Sequence, residues 1–93
     1  MAGSSGVMAG NLISAPPPEY PLMGKLTHME GQVVVQAVVS RSGEVVATRV
    51  LRGHRLLRHA AEAAVRRWRY RPYTVNGRPM EVATVVTVEF KRP

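Results

Sequence analysis

Residues 68–77 constrain the fold of this chain more than any other stretch. Trp68-Arg69-Tyr70-Arg71-Pro72 follows a basic amphipathic segment and precedes Asn76-Gly77 and a valine-rich run. Pro72 cannot continue a helix, because it lacks an N–H and its ring clashes with the preceding turn. Asn76-Gly77 suits a type I′ turn, whose two central residues both take positive φ. Counting outward from that turn sets Val75 opposite Arg78, Thr74 opposite Pro79, Tyr73 opposite Met80 and Pro72 opposite Glu81. A proline in the first arm removes a ladder donor, so the hairpin is expected to stop at that point.

The remaining elements follow from periodicity. Leu56, Leu57, Ala60, Ala61, Ala64, Val65 and Trp68 recur at three- and four-residue intervals and predict a helix, with Arg55, Arg58, Glu62, Arg66 and Arg67 off its apolar stripe. Gln32 to Val39 is dense in β-branched residues and predicts a strand with Val33, Val35, Ala37 and Val39 on one face. Ser40-Arg41-Ser42-Gly43 supplies a turn, and Glu44 to Leu51 resumes extended character, which makes a hairpin. Met80 to Phe90 is a second strong strand, and Leu22 to Met29 predicts a short helix with Leu22, Leu26 and Met29 sharing a face. The expected fold class is α+β: a small antiparallel sheet in the order β-β-α-β-β, with one amphipathic helix packed on one face and a short extra helix before it. Ala15-Pro16-Pro17-Pro18-Glu19-Tyr20-Pro21 reads as a polyproline-type boundary, dividing a flexible segment or linker at 1–15 from a domain at 16–93.

Chemistry-bearing residues are sparse. Cys and Asp are absent, the six Glu are scattered, and His28, His54 and His59 have no thiol or carboxylate at ligand spacing, so neither an enzyme nor a metal or cofactor site is expected. Without cysteine the redox compartment stays open. With 93 residues, one modest core is the limit and a deep active-site cleft is not expected. No apolar window is long enough to span a bilayer, and Gly6 to Ser14 is too short and too uncharged upstream for a signal peptide. The formal charge of +7 attracts phosphates, anionic glycans, acidic proteins or head groups without choosing among them.

Function is therefore expected at an edge. If the second hairpin stops at Pro72, much of Val82 to Phe90 needs a partner on each side, and the first hairpin supplies only one. An exposed edge rich in Val and Thr and free of proline is a docking site for another strand, unless the chain's own Pro-rich segment or a second copy of the chain covers it.

Several of these features together resemble the C-terminal domain of TonB-type energy transducers. They are Pro18, Tyr20 and Pro21 ahead of the domain, Glu30-Gly31 before the first strand, the Gly43 hairpin, Ala64, Trp68, Tyr70 and Pro72 at the helix end, and a last strand closing on Phe90. The likeness runs from about Gly6 to Phe90. It implies a periplasmic domain of an inner-membrane-anchored protein that works with the ExbB and ExbD motor and pulls on outer-membrane TonB-dependent receptors. It also implies that the receptor's extended Ton box adds as a strand along Val82, Ala83, Thr84, Val85, Val86, Thr87, Val88, Glu89 and Phe90, with Tyr20 and Pro21 beside it. Val86 and Val88 are expected to tune the fit, and Trp68 and Tyr70 to join helix to sheet. Pro17-Pro18 stands where the best-known members carry Gln-Pro, so that glutamine's contact does not carry over. The Asn76-Gly77 hairpin is longer than in some members and is expected to bear on the start of the docking edge. The helix arginines read as a solvated face, or as attraction to acidic receptor segments or peptidoglycan.

Two other readings remain at this stage. A small basic nucleic-acid-binding module would use the same charge, although the aromatic residues are not interleaved with the basic ones as a stacking platform requires. A TolA-like relative would use the same fold to bind a different protein.

Overall fold

The valine alternation of residues 31–39 becomes the centre of the fold. The computed structural model describes residues 2–4, 8 and 10–91. Its elements in chain order are β1 (Ala2–Ser4), β2 (Leu12–Ser14), α1 (Leu22–Leu26), β3 (Gly31–Val39), β4 (Val45–Arg52), α2 (Arg55–Arg66), β5 (Arg69–Tyr70), β6 (Tyr73–Val75), β7 (Arg78–Met80) and β8 (Val82–Phe90). The main sheet is antiparallel in the order β1-β8-β3-β4, while β2 pairs with β5 and β6 with β7 in two small separate ladders. The expected α+β layering therefore holds.

Burial follows the two periods. Val33, Val35, Ala37 and Val39 of β3, and Val86, Val88 and Phe90 of β8, point to one side, where Leu57, Ala61, Val65 and Trp68 cover them. Each fully buried Val or Leu contributes about 1.5–3 kcal/mol relative to exposure. The helix begins at His54, whose Nδ1 accepts from the Leu56 N–H at 3.1 Å. Glu62, on the flank of α2, accepts from the Thr48 hydroxyl at 2.8 Å and ties helix to β4.

The second hairpin has the expected register: Val75 pairs with Arg78, Thr74 with Pro79 and Tyr73 with Met80. Asn76 and Gly77 take φ of 51° and 78° as a type I′ turn requires. The ladder ends at Tyr73, and Glu81 separates β7 from β8, so the strand expected from Met80 begins instead at Val82. Neither arm of this hairpin joins the main sheet.

Helix α1 is shorter than the stretch from Leu22 to Met29 expected for it; Leu22 and Leu26 are 70% and 64% exposed, while Met29 packs against the core. A five-residue helix is positioned by its neighbours, and here Gly24 is the buried residue, set against the Tyr20 ring and Pro21. Packing also extends upstream of residue 16. Met8 is wholly buried, Leu12 pairs with Tyr70, and Asn11 and Arg71 bond through the Arg71 N–H to the Asn11 carbonyl at 2.7 Å. Within the amino-terminal segment expected to be flexible, Ala2–Ser4 form β1; residues 1, 5–7 and 9 lie outside the described residues.

Gly43 is the tightest backbone approach. Its φ is 87°, and a Cβ built there overlaps the Tyr70 carbonyl oxygen, while the Gly43 carbonyl accepts from the Tyr70 N–H at 2.9 Å. Gly77 has a similar φ with no atom near a built Cβ. Substitution to alanine separates the two costs. Gly77→Ala is expected to lose about 1–2 kcal/mol from the left-handed backbone alone. Gly43→Ala is expected to lose more, about 3–5 kcal/mol, because the joint must also move. Urea denaturation of both variants measures the difference, and equal losses would show that the close approach to Tyr70 carries no weight.

Candidate partner-binding edge

β8 alternates strictly between two environments. Thr84, Val86, Val88 and Phe90 are buried toward α2, whereas Ala83, Val85, Thr87 and Glu89 lie on the opposite, more exposed face. Val86 and Val88 are at 0% exposure with β1 in place, their side chains directed into the core. Side chains that an added strand can meet on the outer face are Val85, Thr87 and Glu89. The Glu89 carboxylate is held in place by the Gln32 amide, at 3.1 Å.

One edge of β8 is fully used. All nine residues of β3 pair with it, from Gly31 opposite Phe90 to Val39 opposite Val82. The other edge carries β1, with Ala2 opposite Val88, Gly3 opposite Thr87 and Ser4 opposite Val86. The sequence suggests the Pro-rich segment or a second copy as the cover of this edge. The Pro-rich segment instead packs on the helix: the Pro16 carbonyl accepts from Trp68 Nε1 at 3.2 Å, and Pro17 and Tyr20 face Leu56, His59 and Ala63 across a shallow groove. No signal in Ala2-Gly3-Ser4 marks it as a strand, since none of its residues favours β structure. Met8 and Leu12 are legible only as apolar residues in an otherwise small-residue run.

The sequence-predicted residues converge on one place. The Tyr20 ring meets Phe90 edge-on, with centroids 5.6 Å apart at 86°, which brings the Tyr-Pro pair to the carboxyl end of β8. Pro21 caps α1 with φ of −66°. The Tyr20 hydroxyl is buried with no hydrogen-bond partner among the described residues. Trp68 and Tyr70 are buried at 0% and 2% exposure and act as core.

Other constellations are structural. Arg58 donates to the Gly53 carbonyl at 2.8 Å, and Arg69 to the Trp68 carbonyl at 3.0 Å, so both brace the ends of α2. Among the described residues no three metal-ligating side chains cluster, and no helix is long and apolar enough to cross a membrane.

Comparison with known proteins agrees with this geometry. No curated protein matches the chain significantly. The solution NMR structure of the Pseudomonas aeruginosa TonB C-terminal domain superposes with a TM-score of 0.67 at 22% identity, covering 96% of this chain and 94% of that one. At that identity the likeness speaks for the fold. The family described as Gram-negative bacterial TonB protein C-terminal matches residues 16–92, from the Pro-rich stretch through the last strand. The chain thus belongs to the TonB C-terminal domain family.

Proposed function

We propose that this domain docks the Ton box of outer-membrane TonB-dependent receptors by strand addition along Val82 to Phe90, and so transmits energy for active uptake. One observation carries the reading: the edge of β8 opposite β3 takes up a short extended segment in register, as β1 does over Val86–Val88. Strand addition relies on main-chain hydrogen bonds, which tolerate varied sequences and allow one transducer to serve several receptors. On this reading the domain works in the periplasm, tethered through upstream parts to an inner-membrane anchor and to ExbB and ExbD. Exposed arginines on α2, such as Arg55 and Arg66, supply attraction to acidic receptor segments or to peptidoglycan, acting mainly on encounter rate. Self-association through the same edge is the competing use of β8.

The aromatic residues favour this reading over nucleic-acid binding. Trp68, Tyr70 and Phe90 are in the core and Tyr20 lies against Phe90, so these rings do not present faces for base stacking.

Titrating isotope-labelled domain with a synthetic Ton box peptide is expected to shift backbone amides of Val82–Phe90 and of Tyr20. Shifts that map elsewhere, or tighter binding of an oligonucleotide at physiological salt, would overturn strand docking. Adjacent amides in a strand point to opposite edges. Of Val86→Pro and Thr87→Pro, the variant whose lost amide faced β3 is therefore expected to lose the native spectrum, and the other to keep it yet fail to bind peptide.

Tyr20 supplies an independent check. A buried hydroxyl without a partner costs about 1–3 kcal/mol of desolvation. Tyr20→Phe is expected to stabilise the free domain by roughly 1 kcal/mol, a rise in Tm of about 4–8 °C for a domain of this size. A fall in Tm would show that the hydroxyl is satisfied.

A further inference from the structure

The strand on the outer edge of β8 comes from the chain itself. We propose that β1 is a tethered, displaceable stand-in for the partner: residues 2–4 compete in cis for the docking edge and keep it closed until a stronger strand evicts them. This inference rests on the docking reading of β8.

Its location makes the competition steric. β1 pairs with Val88, Thr87 and Val86, in the carboxyl-terminal half of the strand that the partner would use, and two strands cannot occupy one edge at the same residues. Its composition makes it weak. Ala-Gly-Ser contains no β-branched or aromatic residue, and glycine loses the most backbone freedom on being ordered. Cross-strand contacts between larger side chains are what stabilise a pair of strands, and β1 has little to offer there compared with a Val- or Thr-rich peptide.

Its attachment compensates for that weakness. Met8, four residues beyond Ser4, is wholly buried in the core, and the following chain is fixed by the Asn11–Arg71 bonds and the pairing of Leu12 with Tyr70. A segment held this close to its site re-binds at high effective concentration without needing high intrinsic affinity. Such a cover suppresses edge-to-edge association with other copies, yet yields to a partner strand. A domain of which only the uncovered fraction can bind shows a dissociation constant raised by the inverse of that fraction.

The test uses the full chain and two variants with the synthetic Ton box peptide as probe. Gly3→Pro/Ser4→Pro removes two adjacent amides, one of which must face β8. Ala2→Val/Gly3→Val/Ser4→Val strengthens the self-strand. The proline variant is expected to bind the peptide about three- to tenfold more tightly than the parent, and the valine variant more weakly by a similar factor. In the peptide-free proteins, hydrogen exchange at the edge-facing amides of Val86–Val88 is expected to speed up in the first and slow in the second. Peptide shifts on β8 with affinities equal within about twofold across all three chains would overturn self-competition and leave docking intact. Failure of every chain to bind, the proline variant included, would overturn docking and self-competition together. Unchanged exchange at Val86–Val88 in the proline variant would show that β1 does not guard the edge.

Discussion

Burial of Trp68 and Tyr70, on either side of the exposed Arg69, is the constraint on which the other elements depend. The indole is fully buried under the sheet and its Nε1–H reaches the Pro16 carbonyl, so the residue just past the end of α2 also fixes residues 10–21, the amino-terminal strap. Two residues later, Tyr70 donates to the Gly43 carbonyl at the turn of the first hairpin and pairs with Leu12 of β2. Helix, hairpin turn and strap thus meet within three residues. A buried indole N–H or backbone amide left without an acceptor costs about 1–3 kcal/mol, which makes these bonds hard to give up singly. Gly43 has no side chain because the joint leaves no room for one.

The open character of β8 is a consequence of how the chain leaves that joint. Pro72 stops the ladder between the arms of the second hairpin at Tyr73, and the hairpin stands apart as its own two-stranded ladder. β8 therefore returns to the sheet with one long partner, β3. The opposite border of the sheet is protected differently. β4 pairs with β3 through two register shifts that skip Val46 and Leu51, both exposed, and carries Arg49 and Arg52. Bulges and charges of this kind discourage further pairing. The two borders are unequal: one is made unattractive by its own sequence, and the other is regular, β-branched and covered by three small residues.

Much of this architecture is legible in the sequence, and the parts that are not share a physical cause. Strand β3, helix α2 and the register of the second hairpin follow from local rules: alternation of valines, a three-to-four spacing of apolar residues, and a turn whose two residues must take positive φ. The edge of β8 is deducible because register counting is arithmetic. The burial of Val86 and Val88 is within reach of the same alternation, since Phe90 and its i−2 and i−4 neighbours have to share a face. The strap and β1 lie beyond reach. Asn11 meets Arg71 across sixty residues of sequence, and nothing in the small-residue run around Met8 shows a period. In α1 the sequence sets Leu22, Leu26 and Met29 on one face, and the ring of Tyr20 against the small Gly24 decides which side faces in.

On the docking reading, the same arrangement would give the domain a defined path for force. A strand added to β8 and pulled along its length would shear a row of hydrogen bonds together rather than peel them one at a time. Beneath it, the nine-residue register between β8 and β3 resists in the same geometry over a longer ladder. Tension arriving from the amino-terminal side enters through the strap, where Leu12 pairs with Tyr70 and Pro16 is bonded to Trp68. Both routes end on one core, the strap through Trp68 and the docked strand through Val86 and Val88. A pull therefore crosses the middle of the domain rather than a loop. Because β1 precedes the strap, tension from that side would act on β1 before it reached the core. Three pairs would then be the first to give way, and on the proposed reading pulling would expose the edge before it strained the fold.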